Sequence, residues 1–209
     1  MRTQSGRSNL PVPSFPAADR RARFLDACPL LEPIFRNHAE QRHIPGLAYG
    51  VVVDGELILT HSVGMRNVAT GAPVDADTVF RIASMTKSFA AVAILQLRDA
   101  GKLRLDELAA TYVPELANLH YPTADAPPLT VRHLLSMSAG FPQDDPWADR
   151  QIYRNDDAMR AFYRAGASWS NPPGVTFEYS NYGYMLLRRI ITNVSGIPAI
   201  DYISAKILH

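Results

Sequence analysis

Apolar and polar positions alternate along the first third of the chain in a pattern that predicts a helix followed by a β-hairpin. Apolar residues recur at helical spacing from about residue 30 to 42, which predicts an amphipathic helix. Two β-rich runs follow, residues 47–53 and 56–63, and Asp54-Gly55 joins them. An Asp-Gly linker of two residues favours a tight hairpin because both turn positions require positive φ. Residues 67–78 contain Gly and Pro and predict a loop.

The longest apolar pattern predicts a helix from Ser84 to Ala100, with Gly101 as the residue that ends it. Apolar side chains occupy almost every side of this helix, namely Met85, Phe89, Val92, Ile94, Leu95 and Leu97. A helix that is apolar all round is typical of a buried position. We therefore expect this helix to be enclosed by the core.

Prolines break the rest of the chain into shorter helical segments. Thr130 is a good N-cap residue and predicts a helix over residues 131–137. Further helices are predicted near residues 156–163 and over residues 182–194. His133 lies in the first turn of the helix after Thr130, and we interpret it as a structural residue.

These elements predict an α+β protein organised in three parts. The first 23 residues are rich in Ser, Pro and Arg and predict a disordered N-terminal arm. Residues 24–80 supply a helix and the hairpin of an antiparallel sheet flanked by helices. Residues 81–209 predict a mostly helical subdomain.

Composition and charge narrow the classes of partner. Hydrophobic residues make up 47% of the chain, charged residues 20%, and the net charge is +1, as in an ordinary globular protein. This near-neutral charge gives no electrostatic basis for binding nucleic acid or an anionic membrane. The six His residues show no spacing typical of a zinc site, so we predict neither a metal nor another cofactor.

Cysteine content and hydropathy bear on the compartment. Cys28 is the only cysteine, so no intrachain disulfide can form and nothing demands an oxidising compartment. No apolar run reaches the roughly 18 residues that a membrane span needs. No apolar signal-peptide core of about 7–15 residues is present either, so we expect a cytoplasmic protein.

The segment Ser84-Met85-Thr86-Lys87 places a hydroxyl and an amine three residues apart at the start of a helix. Residues at that spacing share one helix face, with Cβ atoms about 5–6 Å apart. The helix N-terminus adds free N–H groups and partial positive charge. A neutral amine beside a hydroxyl can accept its proton and make it a usable nucleophile. Ser-x-x-Lys occurs once in a chain with only three Lys, so we identify Ser84 as the candidate nucleophile and Lys87 as its activating partner.

A second polar element, Tyr-x-Asn, occurs twice, at residues 153–155 and 179–181. The first copy lies in a charge-rich stretch typical of an exposed segment. The second follows Pro172-Pro173-Gly174 and precedes an apolar helix, which predicts a rigid loop beside the core. We therefore select Tyr179 and Asn181 as the remaining site residues.

Ser-x-x-Lys followed by Tyr-x-Asn resembles the motif set of the penicillin-recognising serine enzymes, the superfamily of serine β-lactamases and penicillin-binding proteins. The Tyr form is similar to the branch that holds class C β-lactamases, D-Ala-D-Ala carboxypeptidases and related carboxylesterases. The similarity covers about residues 40–209 and includes the flanking segments Phe80-Arg81-Ile82-Ala83-Ser84, Leu129-Thr130-Val131-Arg132-His133-Leu134-Leu135-Ser136, Ser138-Ala139-Gly140 and Tyr179-Ser180-Asn181-Tyr182-Gly183. This resemblance implies a β-lactamase/transpeptidase-like fold.

The resemblance also implies a role for each of the four site residues. Ser84 attacks a carbonyl carbon and forms an acyl-enzyme, and its backbone N–H supplies half of an oxyanion hole. Lys87 and Tyr179 pass the proton to the leaving group and later help to activate water. Asn181 binds the substrate amide and steadies Lys87. The implied substrate is a small ester, amide or β-lactam, and the residues neither choose among these nor define an oligomeric state.

The chain departs from the family pattern at the third motif. No Lys-Thr-Gly or His-x-Gly follows Asn181, although in the family that motif lies on a strand that supplies the second oxyanion donor. We therefore expect that the C-terminal strands of the sheet are missing, and that residues 1–209 alone are poorly soluble and inactive. The alternative is a non-catalytic remnant that keeps the fold and binds a ligand. A reading frame that continues beyond His209 into a basic-x-Gly strand would discriminate between the two.

Overall fold

A tight turn at Asp54-Gly55 joins two antiparallel strands, β1 (Gly46–Val53) and β2 (Glu56–Asn67). Asp54 has a φ of 53° and Gly55 a φ of 84°, the positive values that the sequence predicts for this turn. The hairpin belongs to the first of two units, residues 1–81 and residues 82–209. The structure is a computed structural model that describes residues 18–143 and 156–209.

A third strand extends the sheet beyond the predicted hairpin. The strand β3 (Ala72–Pro73) pairs antiparallel with the end of β2, so that the strand order is β1-β2-β3. The expectation of a loop over residues 67–78 is therefore wrong at residues 72 and 73. A strand of two residues is too short to show the alternation of period two by which a strand is recognised in a sequence.

Two helices accompany this sheet in the first unit. The helix α2 (Leu31–Gln41) confirms the predicted amphipathic helix, and its Phe35 ring stacks on Tyr49 of β1 with centroids 4.0 Å apart. The helix α1 (Arg20–Ala27) begins inside the stretch that composition assigned to a disordered arm. Its arginines form ion pairs with the turn of the hairpin, Arg20 with Asp54 at 2.7 Å and Arg21 with Glu56 at 2.8 Å. Residues 20–23 are thus helical and not disordered, and composition carries no information on these long-range pairs.

The second unit is helical over most of the residues described. Its α-helices are α3 (Thr86–Asp99), α4 (Ala109–Tyr112), α5 (Val131–Leu135), α6 (Asp156–Arg164), α7 (Asn181–Ser195) and α8 (Ala199–Ile203). Short 3₁₀ turns lie at Ala83–Met85 and Pro114–Leu116, and a π-helical turn, Ser204–Leu208, ends the chain. Within residues 18–143 and 156–209, no helix is both long and apolar enough to cross a membrane.

The core of the second unit forms around α7, which carries the largest run of fully buried aliphatic residues. These residues are Leu186, Leu187, Ile190 and Ile191, and they pack against Ile94 and Leu97 of α3 and Leu134 of α5. Gly196 follows α7 with a φ of 79°, a left-handed conformation that ends the helix at little steric cost. The packing of α3 and α5 on α7 holds together segments that are about 50 to 100 residues apart in the sequence.

The helix α3 is buried along one face, not all round as its composition predicts. Ala93, Ile94 and Leu97 are its buried residues, whereas Val92 is 41% exposed and Met85, in the turn before the helix, is 69% exposed. The α-helix also begins at Thr86, and the residue predicted to start it, Ser84, lies in the 3₁₀ turn before it. Apolar composition therefore indicated which segment is helical but not how many of its faces are covered.

The helix α5 begins with a reciprocal capping arrangement. The backbone N–H of His133 donates to Thr130 Oγ1 at 3.3 Å, and the backbone N–H of Thr130 donates to His133 Nδ1 at 3.3 Å. Both the predicted N-cap and the structural role of His133 are confirmed. The helix ends at Leu135, two residues earlier than predicted, and Met137 then adopts a left-handed φ of 53°.

Candidate active site

Ser84 lies at the middle of the 3₁₀ turn Ala83–Met85, on the exposed side of the entry to α3. The residue before it, Ala83, has a φ of 44°, a left-handed conformation that costs a non-glycine residue roughly 1–2 kcal/mol. Strain of this kind persists only where the surrounding structure imposes it, and it is concentrated at functional sites. The turn thus presents the Ser84 hydroxyl at a bend between the incoming chain and the helix.

Lys87, one turn further along, contacts three oxygen atoms. Its Nζ lies 3.0 Å from Ser84 Oγ, 2.7 Å from the Tyr179 hydroxyl and 2.7 Å from Asn181 Oδ1. The lysine is half-buried, and two of its three partners come from a segment more than 90 residues away. The structure therefore brings all four candidate residues together around one amine.

The Tyr179 hydroxyl completes a closed triangle because it also lies 2.6 Å from Ser84 Oγ. The three sides of the triangle, Ser84 to Lys87, Lys87 to Tyr179 and Tyr179 to Ser84, are all hydrogen-bonding distances. In the structure, Lys87 Nζ and the Tyr179 hydroxyl both donate to Ser84 Oγ. With Lys87 neutral, its lone pair can instead accept the Ser84 proton. This is the geometry that general-base activation of a hydroxyl requires.

Two arrangements of protons are compatible with these contacts. A Lys87 ammonium has three N–H groups and can donate one to each of its three partners. A neutral amine has two N–H groups and one lone pair, and Asn181 Oδ1 can only accept. The remaining N–H and the lone pair then face the two hydroxyls of Ser84 and Tyr179. In the neutral form the proton can pass from Ser84 into the pair with little movement of the heavy atoms.

Backbone hydrogen bonds hold the segment that carries Tyr179. The carbonyl of Ser138 accepts the N–H of Gly174 at 2.7 Å, and the carbonyl of Met137 accepts the N–H of Glu178 at 2.7 Å. The Gly140 carbonyl accepts the N–H of Ser170 at 2.9 Å. Residues 137–140, which we call the brace, thus form hydrogen bonds to both ends of the segment 170–178. These bonds fix the position of Tyr179.

Asn181 is placed by the N-terminus of α7. Ser180 is the N-cap of this helix, and its Oγ accepts the N–H of Gly183 at 3.1 Å. Asn181 is the first residue of the helix and only 7% exposed, with Oδ1 directed at Lys87. A capped, buried helix terminus gives this side chain less freedom than a loop would.

The profile of the Beta-lactamase family matches residues 31–209. This chain belongs to the Beta-lactamase family. The resemblance inferred from the motifs is thereby confirmed for most of the chain.

Two curated relatives place this chain within the family. It is 31% identical over 177 residues to Protein flp of Staphylococcus aureus (strain MW2), a match that covers 83% of this chain and 35% of the relative. It is 35% identical over 158 residues to Penicillin-binding protein 4 of Amycolatopsis lactamdurans, with 75% of this chain and 40% of the relative covered. The chain therefore spans well under half the length of these relatives.

Solved structures share the fold. The octameric penicillin-binding protein homologue from Pyrococcus abyssi superposes with a TM-score of 0.73 at 32% identity, over 87% of this chain and 42% of that one. A class C beta lactamase superposes with a TM-score of 0.72 at 24% identity, over 93% of this chain and 50% of that one, and this likeness concerns the fold alone. The β-lactamase/transpeptidase-like fold implied by the motifs is confirmed.

One residue beside the candidate site, Tyr184, was not identified in the sequence analysis. Tyr184 lies one helical turn after Asn181, and Lys87 Nζ stands over its ring at 5.7 Å from the centroid. Its hydroxyl donates to the Leu135 carbonyl at 3.2 Å. Burial, and to a smaller extent the charge of Tyr179, raises the pKa of the Tyr184 hydroxyl. The spacing of three residues from Asn181, which places both on one face of α7, is the signal that could have indicated it.

Two further expectations from the sequence concern the second Tyr-x-Asn copy and metal binding. The other Tyr-x-Asn copy, Tyr153 to Asn155, lies outside the described residues. In the described part of the chain, no group of three or more His, Cys, Asp or Glu side chains is arranged as a metal site. The side chains that meet at the candidate site carry a hydroxyl, an amine, a phenol and an amide.

Proposed function

We propose that this protein is a serine hydrolase that forms an acyl-enzyme with a small ester, amide or β-lactam. The observation that carries the proposal is the closed triangle of Ser84 Oγ, Lys87 Nζ and the Tyr179 hydroxyl, with sides of 3.0, 2.7 and 2.6 Å. Membership of the Beta-lactamase family supports the same class of chemistry. The cytoplasmic location stays a prediction from the sequence.

The proposed acylation begins with attack of Ser84 Oγ on the substrate carbonyl carbon. The Ser84 proton passes to the Lys87–Tyr179 pair as the new C–O bond forms and the carbonyl becomes an oxyanion. The tetrahedral intermediate then collapses and breaks the bond to the leaving nitrogen or oxygen. The pair returns its proton to that leaving atom, so the acyl-enzyme and a neutral amine or alcohol result. In a β-lactam the leaving nitrogen stays attached to the acyl group.

The backbone N–H of Ser84 is our candidate donor to the oxyanion. N–H groups in the first turn of a helix lack acceptors within the helix and point toward its N-terminal end. Preorganised donors of this kind typically contribute a factor of about 10²–10³ to the rate. The left-handed φ of 44° at Ala83 supports the assignment, because it sets the orientation of the peptide group that carries this N–H.

Deacylation reverses the direction of proton transfer. The Lys87–Tyr179 pair takes a proton from water, whose oxygen attacks the acyl carbon. Ser84 Oγ leaves and regains the proton, which releases a carboxylic acid and restores the resting site. Asn181 steadies Lys87 throughout by accepting at 2.7 Å, and we assign it a second role in binding the substrate amide.

A mass measurement tests the nucleophile. The full product of the gene is incubated with a fluorophosphonate and, separately, with a penicillin, and its intact mass is recorded. We expect one adduct on the unmodified protein and none on Ser84→Ala. Ser88→Ala is the matched control, because Ser88 is exposed on α3, four residues after Ser84, and it should keep the adduct.

The same measurement discriminates between an enzyme and a non-catalytic remnant. A protein that only binds would show saturable uptake of the penicillin by calorimetry without any increase in its mass. An adduct that survives in Ser84→Ala would show that another residue is the nucleophile and would contradict the proposal.

A further inference from the structure

Exposed apolar side chains flank the contact between Ser84 and Tyr179. The Tyr179 hydroxyl lies 2.6 Å from Ser84 Oγ, so the two segments that carry these residues meet at this point. Met85, next to Ser84, is exposed, and so are Val175 and Phe177, which lie four and two residues before Tyr179. Large apolar side chains that are exposed as a group, unlike scattered single ones, are typical of a surface that binds a ligand or partner.

Glu178 is turned away from the candidate nucleophile. Its side chain accepts a hydrogen bond from Asn171 Nδ2 at 2.5 Å, and its backbone N–H donates to the Met137 carbonyl at 2.7 Å. The next residue, Tyr179, contacts Ser84 instead. Adjacent side chains of this segment therefore point to different sides.

Phe177 lies on the same side of the segment as Tyr179. Residues 177–180 belong to no helix or turn, and Ser180 is extended, with a φ of −135° and a ψ of 118°. In an extended backbone, alternate side chains share one side and are separated by about 7 Å, at roughly 3.3 Å per residue. Phe177 is 67% exposed, so its ring is free to line the surface beside the Tyr179 hydroxyl.

The two segments that meet at the candidate site offer no free charge to a substrate. Residues 82–87 and 174–179 contain two charged residues, Lys87 and Glu178. The Lys87 amine contacts three oxygen atoms, and Glu178 accepts from Asn171. A charged substituent placed against these segments would lose water without gaining an ion pair, whereas an apolar one would bury exposed apolar surface. The segments therefore favour an uncharged, apolar substituent.

The proposed acylation indicates which part of the substrate meets Phe177. The Lys87–Tyr179 pair returns its proton to the leaving nitrogen or oxygen, so that atom must come within hydrogen-bonding reach of the pair. A substituent on the leaving atom that extends along the segment before Tyr179 then reaches the Phe177 ring. The acyl group is bonded to Ser84 and lies on the other side of the bond that breaks.

We propose that Phe177 is a specificity-determining residue that contacts the leaving group, and that the substrates are esters or amides whose leaving group is apolar and preferably aromatic. The inference rests on the proposed function, because the proton transfer from Tyr179 defines the side of the leaving group. A phenylalanine ring favours an aromatic substituent, since paired rings attract each other beyond the area that they bury. Acylation depends on this contact and deacylation does not, because the leaving group has departed before water attacks.

Two esters of one acid isolate this contact. Methyl butanoate and benzyl butanoate form the same acyl-enzyme on Ser84, so they share deacylation, and kcat/KM reports acylation. In the full gene product, Phe177→Ala should lower kcat/KM for the benzyl ester by a factor of about 3–10, from the usual strength of an aromatic pair. The methyl ester should react as before. Phe177→Tyr keeps the ring and should keep the preference for the benzyl ester. A pH-stat measures the acid released from either ester.

Ile200→Ala is the matched control for loss of an exposed apolar side chain. Ile200 lies on α8 and is 64% exposed, close to the exposure of Phe177, and its replacement should change neither kcat/KM. Phe177→Leu, which keeps an apolar side chain without a ring, replaces the alanine variant if that one fails to fold. An unchanged ratio of the two kcat/KM values in the folded variant would overturn the inference.

A binding measurement separates this inference from the proposed function. In Ser84→Ala, which lacks the candidate nucleophile, saturation-transfer NMR gives the dissociation constants of the two esters. We expect the benzyl ester to bind more tightly, and Phe177→Ala in the same background to weaken its binding by a factor of about 3–10. A full gene product that hydrolyses neither ester but binds the benzyl ester through Phe177 would refute the proposed function and leave the contact in place. Without hydrolysis, equal dissociation constants for the two esters would overturn the inference as well.

Discussion

The carbonyl oxygen of Met137 accepts the backbone N–H of Glu178 at 2.7 Å, one residue before the candidate proton-transfer residue Tyr179. The two residues are 41 positions apart in the sequence, and neither side chain takes part in the bond. Met137 adopts its left-handed φ of 53° in the brace that provides this carbonyl. The position of the phenol over Ser84 therefore depends on the backbone shape of a segment that performs no chemistry itself.

Gly140→Ala should displace this brace. Gly140 has a φ of 84°, and a Cβ atom at this position would collide with the carbonyl oxygen of Asn171. We expect a loss of unfolding free energy larger than the roughly 1–2 kcal/mol that a left-handed alanine costs by itself, together with lower turnover. Urea unfolding and steady-state hydrolysis measure the two effects.

Gly166→Ala is the control for the backbone cost of that substitution. Gly166 has a φ of 92°, but no atom lies within 4 Å of the place that a Cβ would occupy, so only the left-handed strain applies. Its turnover should match that of the unmodified protein. Equal losses of turnover in Gly140→Ala and Gly166→Ala would mean that the contact between Gly140 and Asn171 does not position Tyr179.

Tyr179→Phe should lower turnover by a factor of about 10²–10⁴, the usual contribution of a positioned acid–base group. The substitution removes the hydroxyl that contacts both Ser84 at 2.6 Å and Lys87 at 2.7 Å but keeps the ring. Tyr153→Phe, in the other Tyr-x-Asn copy, should be nearly neutral. The reverse ranking in steady-state assays would show that the sequence analysis selected the wrong copy.

Lys87→Arg should slow acylation strongly, although arginine also carries a basic group. A guanidinium stays protonated in proteins and cannot take the proton from Ser84. We expect the rate of adduct formation to fall by a factor of about 10²–10⁴. Mass spectrometry of samples quenched at timed intervals measures this rate. Lys102→Arg makes the same change at an exposed position and should react at the original rate. Rapid acylation of Lys87→Arg would remove the lysine from the mechanism.

Acidification should weaken the cap of α5. Burial lowers the pKa of His133 below its ordinary value of about 6.5, and the opposing effect of Asp106 is smaller. The unfolded chain therefore binds this proton more readily than the folded protein does. The stabilisation is complete above about pH 6.5 and is lost as the pH falls from that value through the lower pKa of the folded state. Protonation of Nδ1 would also remove the acceptor of the Thr130 N–H.

His133→Asn provides the matched variant for this pH dependence. An asparagine oxygen can replace Nδ1 as the acceptor, but it does not titrate. Urea unfolding between about pH 5 and 7.5, the range that brackets the ordinary histidine pKa, should show a shallower loss of unfolding free energy in His133→Asn. His43→Asn, at an exposed residue whose left-handed φ of 53° asparagine tolerates, should keep the original slope. An identical slope in His133→Asn would show that this histidine does not contribute.

Interactions between residues that are close in the sequence explain several local features of the fold. The Asp54-Gly55 turn, the Thr130 cap and the end of α3 before Gly101, with its φ of 70°, all follow from contacts within four residues. A residue's own φ preference and its nearest backbone N–H groups decide such features. The pairing of Ser84 with Lys87 belongs to the same class, because three residues of helix set their separation.

By itself, the sequence determined the family and the α+β class, and it identified the candidate residues for the proposed chemistry. Only the tertiary structure decided that Tyr179 and Asn181 meet Lys87, that Tyr184 covers its amine, and that α3 is buried on a single face. It also decided the pairing of β3 with β2 and the docking of Arg20 on the hairpin turn. Each of these contacts joins residues on separate elements, so it depends on how those elements pack. The hydrophobic periodicity within one element carries no information on that packing. Tyr179 lies 92 positions after Lys87, and the intervening chain carries the helices and the brace that bring the amine and the phenol to 2.7 Å.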